Sequence, residues 1–384
     1  MIVTFADAVD YCLNYLAKDA KESPVAKRIV IDAYRSIPNK RDWNYYKRML
    51  RLNTVAAQST GTITYTESTR TMVLDGATWP SWAASGYIRI GEVMYYVASR
   101  ESSTDIILDE TTTPGDNLAA GTSYVLAQDS YPLPTDFRSL IALNWQAGTY
   151  NPAYVDIEEF AMLATLITGP AAPTYYTIYG DRSLLGTKDI RFYPSPDQAY
   201  PTNLYYNGGG RPLAIEYYRS GNVTTTASSR TVTGSGTSWT SAMIGSVIRF
   251  AAADTKDSSG NTIYPTGVDG LYPPVMEHVI TGVASATSLT IDTAADLSLA
   301  ATAYQISDPI DMPDWMFNFF YRSIDKQARL SMRSKDIGPS ETNEYMMAFQ
   351  EACEADSVFG GTRVARLSSG RPRLLREYPI NVNG

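Results

Sequence analysis

The chain contains few of the side chains that build catalytic or metal sites. Its 384 residues include one histidine, His278, and two cysteines, Cys12 and Cys353, near opposite ends. Zinc-type sites need several cysteine or histidine ligands, so the sequence predicts none. His278 is the one histidine available as the base of a catalytic triad, but its position in a strand-like run predicts a packed or edge residue. Both cysteines are expected to be buried thiols.

Three short polar segments have the composition of functional motifs without their spacing. The glycines of "NGGGRP" (207–212) lack the Lys-Ser/Thr of a phosphate-binding loop, so a turn is expected. The acids of "DTKDSSGN" (254–261) lack the spacing of a calcium loop, so a solvated loop is expected. Asp156, Glu158 and Glu159 could serve acid–base catalysis, but a solvated helix face is the preferred interpretation. The sequence therefore predicts no catalytic residue, no metal, no cofactor and no enzymatic activity.

Arginine is concentrated in the C-terminal tail. We expect a docking arm there, in which arginines pair with carboxylates of a partner and leucines supply apolar anchors. Its residues are Arg363, Arg366, Arg371, Arg373, Leu374, Leu375 and Arg376. A solvated tail and a tail that binds nucleic acid remain alternatives.

Charge is unevenly distributed along the chain, whose net charge is −8. Residues 1–52 carry ten basic and six acidic side chains, a net of +4, and residues 357–384 carry five arginines and one glutamate, also a net of +4. Residues 53–356 therefore carry a net of −16. An acidic body with basic ends argues against a sequence-reading DNA-binding protein and is typical of a protein whose ends dock on acidic partners.

Helical periodicity is strongest at the two ends of the chain. Thr4 with Asp7 and Ser23 with Pro24 are helix-start signals, and "RDWNYYKRMLRL" (41–52) is expected to form a third short helix. From residue 53 onward, short alternating runs predict strands, one of them "LAIEYYRS" (213–220). No apolar run approaches the roughly 20 residues that a membrane-spanning helix needs.

An internal repeat is the most informative pattern in the sequence. When residues 61–90 are placed over 221–250 at a constant offset, eleven of thirty positions are identical. The identical pairs are Gly61/Gly221, Thr64/Thr224, Thr66/Thr226, Ser68/Ser228, Arg70/Arg230, Thr71/Thr231, Gly76/Gly236, Trp79/Trp239, Ser81/Ser241, Ile88/Ile248 and Arg89/Arg249. The match resumes between 95–110 and 278–293, which predicts a duplicated all-β module of about five short strands.

The repeated tryptophans Trp79 and Trp239, with Arg70 and Arg230, are expected to belong to the core architecture of each module. The functional alternative is that the two tryptophans stack on sugars.

The sequence predicts an α+β fold with helical elements at both ends around a central β region, into which the two duplicated modules are inserted. The expected parts are an N-terminal helical unit (1–54), β module A (55–130), a central mixed β region (131–220), β module B (221–311), a C-terminal helical pair (312–358) and an extended basic docking tail (359–384).

The order of several segments resembles a known family. "AKRIVIDAYRSI" and "DWNYY" are followed by "YPLPTDFRSL", then by "PTYYTIYG", "IRFYPSPDQ" and "IEYYR", and finally by a helical pair with an extended tail. This order resembles the head-to-tail adaptor proteins of tailed bacteriophages, also called connectors or tail tubular gatekeepers. The large duplicated insertions depart from the minimal adaptor.

The resemblance implies a structural protein of the virion neck that assembles from the host cytoplasm. It implies a ring, expected to be a dodecamer, between the portal protein and a tail or nozzle protein. Phage DNA would pass through its channel without sequence-specific binding, the C-terminal tail would insert into the portal, and no membrane would be involved. Two alternatives remain open: a tail or baseplate component whose β modules bind host glycans, and a hydrolase with β accessory domains.

Overall fold

The computed structural model describes residues 1–16, 23–145, 151–164, 169–180, 187–252, 256–257, 259–267, 272–333 and 338–359. The chain forms two compact units, of which the first comprises Met1–Tyr46 and Gly209–Gly384 and the second Lys47–Gly208. The fold is mixed α+β with mostly β content, as the sequence predicted at that level.

Helices are concentrated in the first unit. The α-helices of the described residues are α1 (Phe5–Leu16), α2 (Ser23–Ser36), α3 (Ile157–Ala164), α4 (Phe317–Ala328) and α5 (Pro339–Phe359). At the start of α1, the N–H of Thr4 donates to Asp7 Oδ2 at 2.9 Å and the N–H of Asp7 donates to Thr4 Oγ1 at 3.4 Å. This reciprocal cap satisfies donors that a helix start leaves unpaired, so the predicted start signal is confirmed.

The strands of the described residues fall into four sheets. In the second unit they are β1 (Lys47–Asn53), β2 (Thr62–Thr66), β3 (Thr71–Asp75), β4 (Tyr87–Ile90), β5 (Val93–Arg100), β6 (Asp105–Leu108), β7 (Leu118–Thr122), β8 (Val125–Ala127), β9 (Ser130–Pro132), β10 (Phe137–Trp145), β11 (Ala153–Tyr154), β12 (Tyr175–Gly180), β13 (Lys188–Tyr193) and β14 (Pro201–Gly208). In the first unit they are β15 (Asn222–Thr225), β16 (Thr231–Ser235), β17 (Val247–Phe250), β18 (Met276–Ser285), β19 (Ser288–Ile291), β20 (Leu299–Thr302) and β21 (Tyr304–Ser307).

Two of the sheets are curled and have seven strands each. Their strand orders are β7-β2-β3-β6-β5-β4-β8 and β20-β15-β16-β19-β18-β17-β21. The two orders are identical when the first strand of one sheet along the chain is matched to the first of the other, the second to the second, and so on. The expected count of about five strands per module was too low. Each sheet surrounds its own apolar core, which contains Trp79 in one case and Trp239 in the other.

The second unit also holds two smaller sheets, with the strand orders β1-β14-β10 and β11-β12-β13-β9. The prediction of a helix over residues 41–52 was wrong, because Lys47–Asn53 pairs antiparallel with β14 along its whole length. The side chains of β1 alternate between exposed and half-buried positions, which is the period of a strand. Residues 47–54 therefore do not continue the N-terminal helical unit that was expected to span 1–54.

The prediction of a strand at residues 213–220 is also wrong. Among the described residues this segment makes one isolated β-bridge, between Tyr218 and Ile306. Its start is held instead by the buried Asp308, whose carboxylate accepts the N–H groups of Ala214 and Ile215 at 2.7 and 2.6 Å. Backbone donors that bond a carboxylate cannot join a strand ladder.

Candidate functional site

Trp79 lies inside the first seven-stranded sheet and is 1% exposed. Its backbone N–H donates to the carbonyl oxygen of Ser103 at 2.7 Å, and its indole N–H donates to that of Thr104 at 2.8 Å. The ring of Tyr124 packs against it at 5.1 Å in a T-shaped arrangement. The Tyr124 hydroxyl in turn donates to the carbonyl oxygen of Thr60 at 2.8 Å.

Trp239 occupies the corresponding place in the second sheet and is 3% exposed. Its backbone N–H donates to the carbonyl oxygen of Ala286 at 3.1 Å, and its indole N–H donates to the hydroxyl of Tyr304 at 3.1 Å. Tyr304 also packs edge-on, at 6.0 Å, and donates to the carbonyl oxygen of Ser220 at 2.6 Å. Neither tryptophan presents a ring face to solvent, so neither is available to stack on a sugar.

Arg70 and Arg230 contribute to the two sheets through backbone hydrogen bonds, and the side chain of Arg70 also donates to the carbonyl oxygen of Leu108 at 3.3 Å. The carbonyl oxygen of Arg70 accepts the N–H of Leu108, and that of Arg230 accepts the N–H of Ile291, both at 2.9 Å. The side chain of Arg70 is half-buried and that of Arg230 is exposed. The four predicted repeat-core residues therefore divide into two pairs, with Trp79 and Arg70 in the second unit and Trp239 and Arg230 in the first.

The predicted docking arm lies outside the described residues. It comprises Arg363, Arg366, Arg371, Arg373, Leu374, Leu375 and Arg376.

A buried arginine that the sequence reasoning did not single out joins the N-terminal segment to the second sheet. Arg249, on β17, is 1% exposed and donates to both carboxylate oxygens of Asp7 at 2.8 Å. It also donates to Glu277 Oε2 at 2.9 Å and to the carbonyl oxygen of Ile2 at 2.7 Å. Burial alone would lower the pKa of Arg249, but the bonds and charges of the two carboxylates raise it. The guanidinium is therefore held charged inside a paired cluster.

Backbone contacts extend this attachment along the outer face of the sheet. The N–H of Phe5 donates to the carbonyl oxygen of Asp308 at 2.7 Å, and the N–H of Ala6 donates to Ser307 Oγ at 3.1 Å. The N–H of Ile2 donates to Glu277 Oε1 at 2.7 Å. Residues 2–7 thus cover the outer face around Arg249. The sequence signal that could have identified this face is that the repeat has the same residue, arginine, at positions 89 and 249.

A cleft of about 280 Å³ lies among α1, α4 and α5. Asp325 lines it, accepts a hydrogen bond from the Tyr11 hydroxyl at 3.1 Å, and pairs with Arg322 at 3.2 Å. Burial raises the pKa of Asp325, against the lowering effect of these two partners. Arg329 pairs with Glu341 across the cleft. Arg322 also pairs with Glu344 at 3.3 Å, so ion pairs link α5 to α4 along this cleft.

The remaining polar candidates serve local structure. Asp156 accepts the N–H of Glu159 at 2.8 Å and so caps α3, while Glu158 and Glu159 are exposed, as expected for a solvated helix face. His278 is packed in β18, with Nδ1 3.0 Å from Thr293 Oγ1. Its Nε2 is buried and has no hydrogen-bond partner among the described residues.

Within the described parts of the chain, no group of three or more His, Cys, Asp or Glu side chains is arranged to hold a metal ion. No described helix is long and apolar enough to cross a membrane. No family model matches the chain, and no curated protein and no solved structure matches it.

Proposed function

We propose that this protein is a non-catalytic adaptor that forms a ring between the portal protein and the tail of a tailed bacteriophage. In this proposal the ring completes the DNA channel after packaging and supports tail attachment and genome ejection. The C-terminal tail docks on the portal, and the β modules face outward toward the tail or nozzle protein.

The observation that carries the proposal is that the two ends of the chain build one helical core. Trp43 is fully buried and donates its indole N–H to the carbonyl oxygen of Ile37 at 2.8 Å. The rings of Trp315, Phe319 and Phe349, from the C-terminal part, surround it at 6.0–6.3 Å. The adaptor-like segments at opposite ends of the sequence are therefore parts of one structural element.

The end of α5 is anchored to the same core. The buried carboxylate of Asp356 accepts the N–H of Asn44 at 2.8 Å, and the Asn44 side chain donates to the Asp356 carbonyl oxygen at 3.0 Å. The ring of Phe359 lies 6.2 Å from that of Tyr45. Phe359, the last described residue before the basic tail, therefore lies on a folded core, which is the kind of anchor that a docking arm requires.

We propose further that the two seven-stranded sheets are two copies of one module. Their common strand order supports this, as do matching backbone bonds such as Val97 N–H to Gly86 O and Ile280 N–H to Ser246 O. In each copy a glycine with positive φ, Gly61 or Gly221, opens the first strand. A duplicated module gives one subunit two similar surfaces, each next to different parts of the chain.

The acidic middle of the chain fits a DNA channel. Residues 53–356 carry a net charge of −16, and an acidic wall repels the phosphate backbone, whereas a basic wall would hold it at many phosphates. We therefore propose that part of this charge faces the channel. A charge map of the assembled ring tests this, and a basic channel wall would contradict it.

The docking experiment compares the full chain with a variant that lacks residues 360–384. Each is mixed with portal-bearing heads and with heads that lack a portal, and bound protein is measured by co-sedimentation. We expect the full chain to bind portal-bearing heads but not heads that lack a portal. The truncated chain should stay folded and bind neither kind of head. A second variant, with the five tail arginines changed to glutamine at full length, separates loss of charge from loss of chain. Equal binding by all three would refute the tail assignment.

The glycan-binding alternative has no support from the tryptophans on which it depended. Both are buried, as described above. Measurable binding of host glycans by the full chain would revive it through other residues.

A further inference from the structure

Helix α5 has one side on the helical core and one side exposed. The core side includes Ala348, Ala352 and Asp356, which are buried and recur every fourth residue. On the far side, Met347 and Val358 are 62% and 58% exposed. Large apolar side chains on the outer side of an amphipathic helix are the usual mark of a surface that binds something.

Two carboxylates lie between these apolar side chains. Glu351 and Glu354 are exposed and occupy the same side of the helix, because the steps from Met347 to Val358 are of four, three and four residues. We call Met347, Glu351, Glu354 and Val358 the α5 stripe. Its two carboxylates accept hydrogen bonds from neighbouring amide side chains at 3.2 and 3.4 Å, and neither has an ion-pair partner among the described residues.

The other acidic side chains of α5 are already paired. The helix has five Asp and Glu residues and no Lys or Arg. Glu341 pairs with Arg329 and Glu344 with Arg322, and the buried Asp356 is hydrogen-bonded to the N-terminal part of the chain. The α5 stripe therefore carries the negative charge that remains available for a basic partner, and the C-terminal end of the helix dipole adds to it.

The residues that follow α5 have the opposite charge. Residues 360–384 contain five arginines and one glutamate, a net of +4. Gly360 and Gly361 come directly after the helix, and glycine adopts the backbone conformations that let a chain reverse its direction. The α5 stripe is about 16 Å long, a distance that about five extended residues span. Residues 362–368 are therefore long enough to run back along it.

This first part of the tail has side chains that match the α5 stripe. Arg363 and Arg366 supply two guanidinium groups for the two carboxylates, and Val364 and Leu367 supply apolar side chains for the two apolar positions. Because the tail is joined to the helix, its effective concentration at the stripe is in the millimolar range, so that weak individual contacts suffice to hold it.

We propose that the α5 stripe binds residues 362–368 of its own chain, in which two arginines pair with the two carboxylates of the stripe. The rest of the tail, from Arg371 to Arg376, stays available for the portal. The contact deepens the proposed docking arm and rests on it, because it divides the arm into a part held on α5 and a part that reaches the partner. Holding the first part lowers the cost of ordering the arm when it docks.

The first experiment locates the tail in the full-length protein, without phage heads. A photo-crosslinking residue replaces Met347, and the crosslinked peptides are identified by mass spectrometry. Mixing chains that carry the normal and the heavy nitrogen isotope distinguishes a crosslink within one chain from one between two copies. The variants are E351R/E354R, R363E/R366E and the combination of all four changes. The matched control is E158R/E159R, which changes two neighbouring exposed carboxylates on α3.

The second experiment measures how readily trypsin reaches the tail. The rates of cleavage after Arg363 and Arg366 are compared with the rate after Arg373, which lies in the same tail and serves as an internal reference. Circular dichroism verifies folding of every variant. If E351R/E354R loses helix content, E351Q/E354Q takes its place in both experiments.

We expect position 347 to crosslink to residues 362–368 within one chain. E351R/E354R and R363E/R366E should each lower the yield of this crosslink, the combined variant should restore it, and E158R/E159R should behave as wild type. In E351R/E354R, cleavage after Arg363 and Arg366 relative to Arg373 should rise by about three- to tenfold, which corresponds to the loss of two exposed ion pairs.

Two results would overturn the contact: crosslinks that never include the tail, and equal relative cleavage in wild type and E351R/E354R. Crosslinks that form between two copies would overturn the assignment to the same chain. Binding to portal-bearing heads is measured separately. A wild-type chain that forms the crosslink but never binds such heads would overturn the adaptor function and leave the contact standing, whereas binding without the crosslink would overturn the contact alone.

Discussion

Arg249 and Asp7 form a bidentate ion pair at 2.8 Å although 242 positions separate them in the chain. The pair joins the first turn of α1 to a strand of the second seven-stranded sheet, within the first unit. It shows how a repeated position acquires a particular role, because its counterpart Arg89 has no such partner among the described residues.

This difference between the two copies predicts unequal effects of one substitution. Arg249→Gln should lower the free energy of unfolding by about 3–5 kcal/mol, because it removes a buried guanidinium and leaves the half-buried carboxylates of Asp7 and Glu277 without their partner. Arg89→Gln, at the equivalent position, should change it by less than about 0.5 kcal/mol. Urea unfolding followed by circular dichroism measures both. Equal losses in the two variants would contradict the role assigned to Arg249.

The tryptophans predict large stability effects in both modules. Trp79→Ala should cost about 3–5 kcal/mol, as large-to-small changes in a core do, and Trp239→Ala should cost a similar amount. Trp79→Phe should cost about 1–3 kcal/mol, because it leaves the Thr104 carbonyl oxygen without its donor. Thermal unfolding by calorimetry ranks the variants. If either alanine variant were as stable as wild type, that tryptophan would not be a core residue.

At the glycines that precede the first strand of each module, substitution should lower stability through a steric clash as well as through the positive φ. Gly61 has φ of +88°, and a Cβ there would lie 2.3 Å from the carbonyl oxygen of Asp75. Gly115 has φ of +81° but open space around it. Gly115→Ala should therefore cost about 1–2 kcal/mol from the left-handed backbone alone, and Gly61→Ala should cost more. Urea unfolding of the two variants gives the comparison, and a smaller loss for Gly61→Ala would contradict it.

Asp325 predicts a pH effect on the helical core. Burial raises its pKa above the ordinary value of 3.8, so the folded protein binds this proton more tightly than the unfolded chain does. The associated stability is therefore present below pH 3.8 and is lost as pH rises through the raised pKa. Relative to Asp325→Asn, wild type should lose stability as pH increases across this window. Asp32→Asn, at an exposed position, is the control, and a stability difference that grows in the opposite direction would contradict the prediction.

Sequence patterns correctly predicted those helices and strands that are determined by residues close to them in the chain. The start of α1 followed from Thr4 and Asp7, and that of α2 from Ser23 and Pro24, because caps and first-turn prolines act through neighbouring residues. The β character of the two modules followed from short alternating runs. These signals depend on nearby residues alone.

The wrong predictions involve long-range partners. "KRMLRL" (47–52) consists of good helix formers, yet it pairs with β14, which lies about 150 residues later. Residues 213–220 alternate like a strand, but the Asp308 carboxylate binds two of their N–H groups. For the candidate site, the repeat identified Arg89 and Arg249 as equivalent, while the covering of one of them by residues 2–7 required the folded structure.

The central claim is that this chain forms a ring on a portal. The most direct measurement is electron microscopy of portal-bearing heads with and without the purified protein, together with light scattering of the protein alone. We predict a ring of added density at the portal vertex, with many copies around one axis, whether or not the free protein is monomeric. Heads that remain unchanged at saturating protein would contradict the adaptor function.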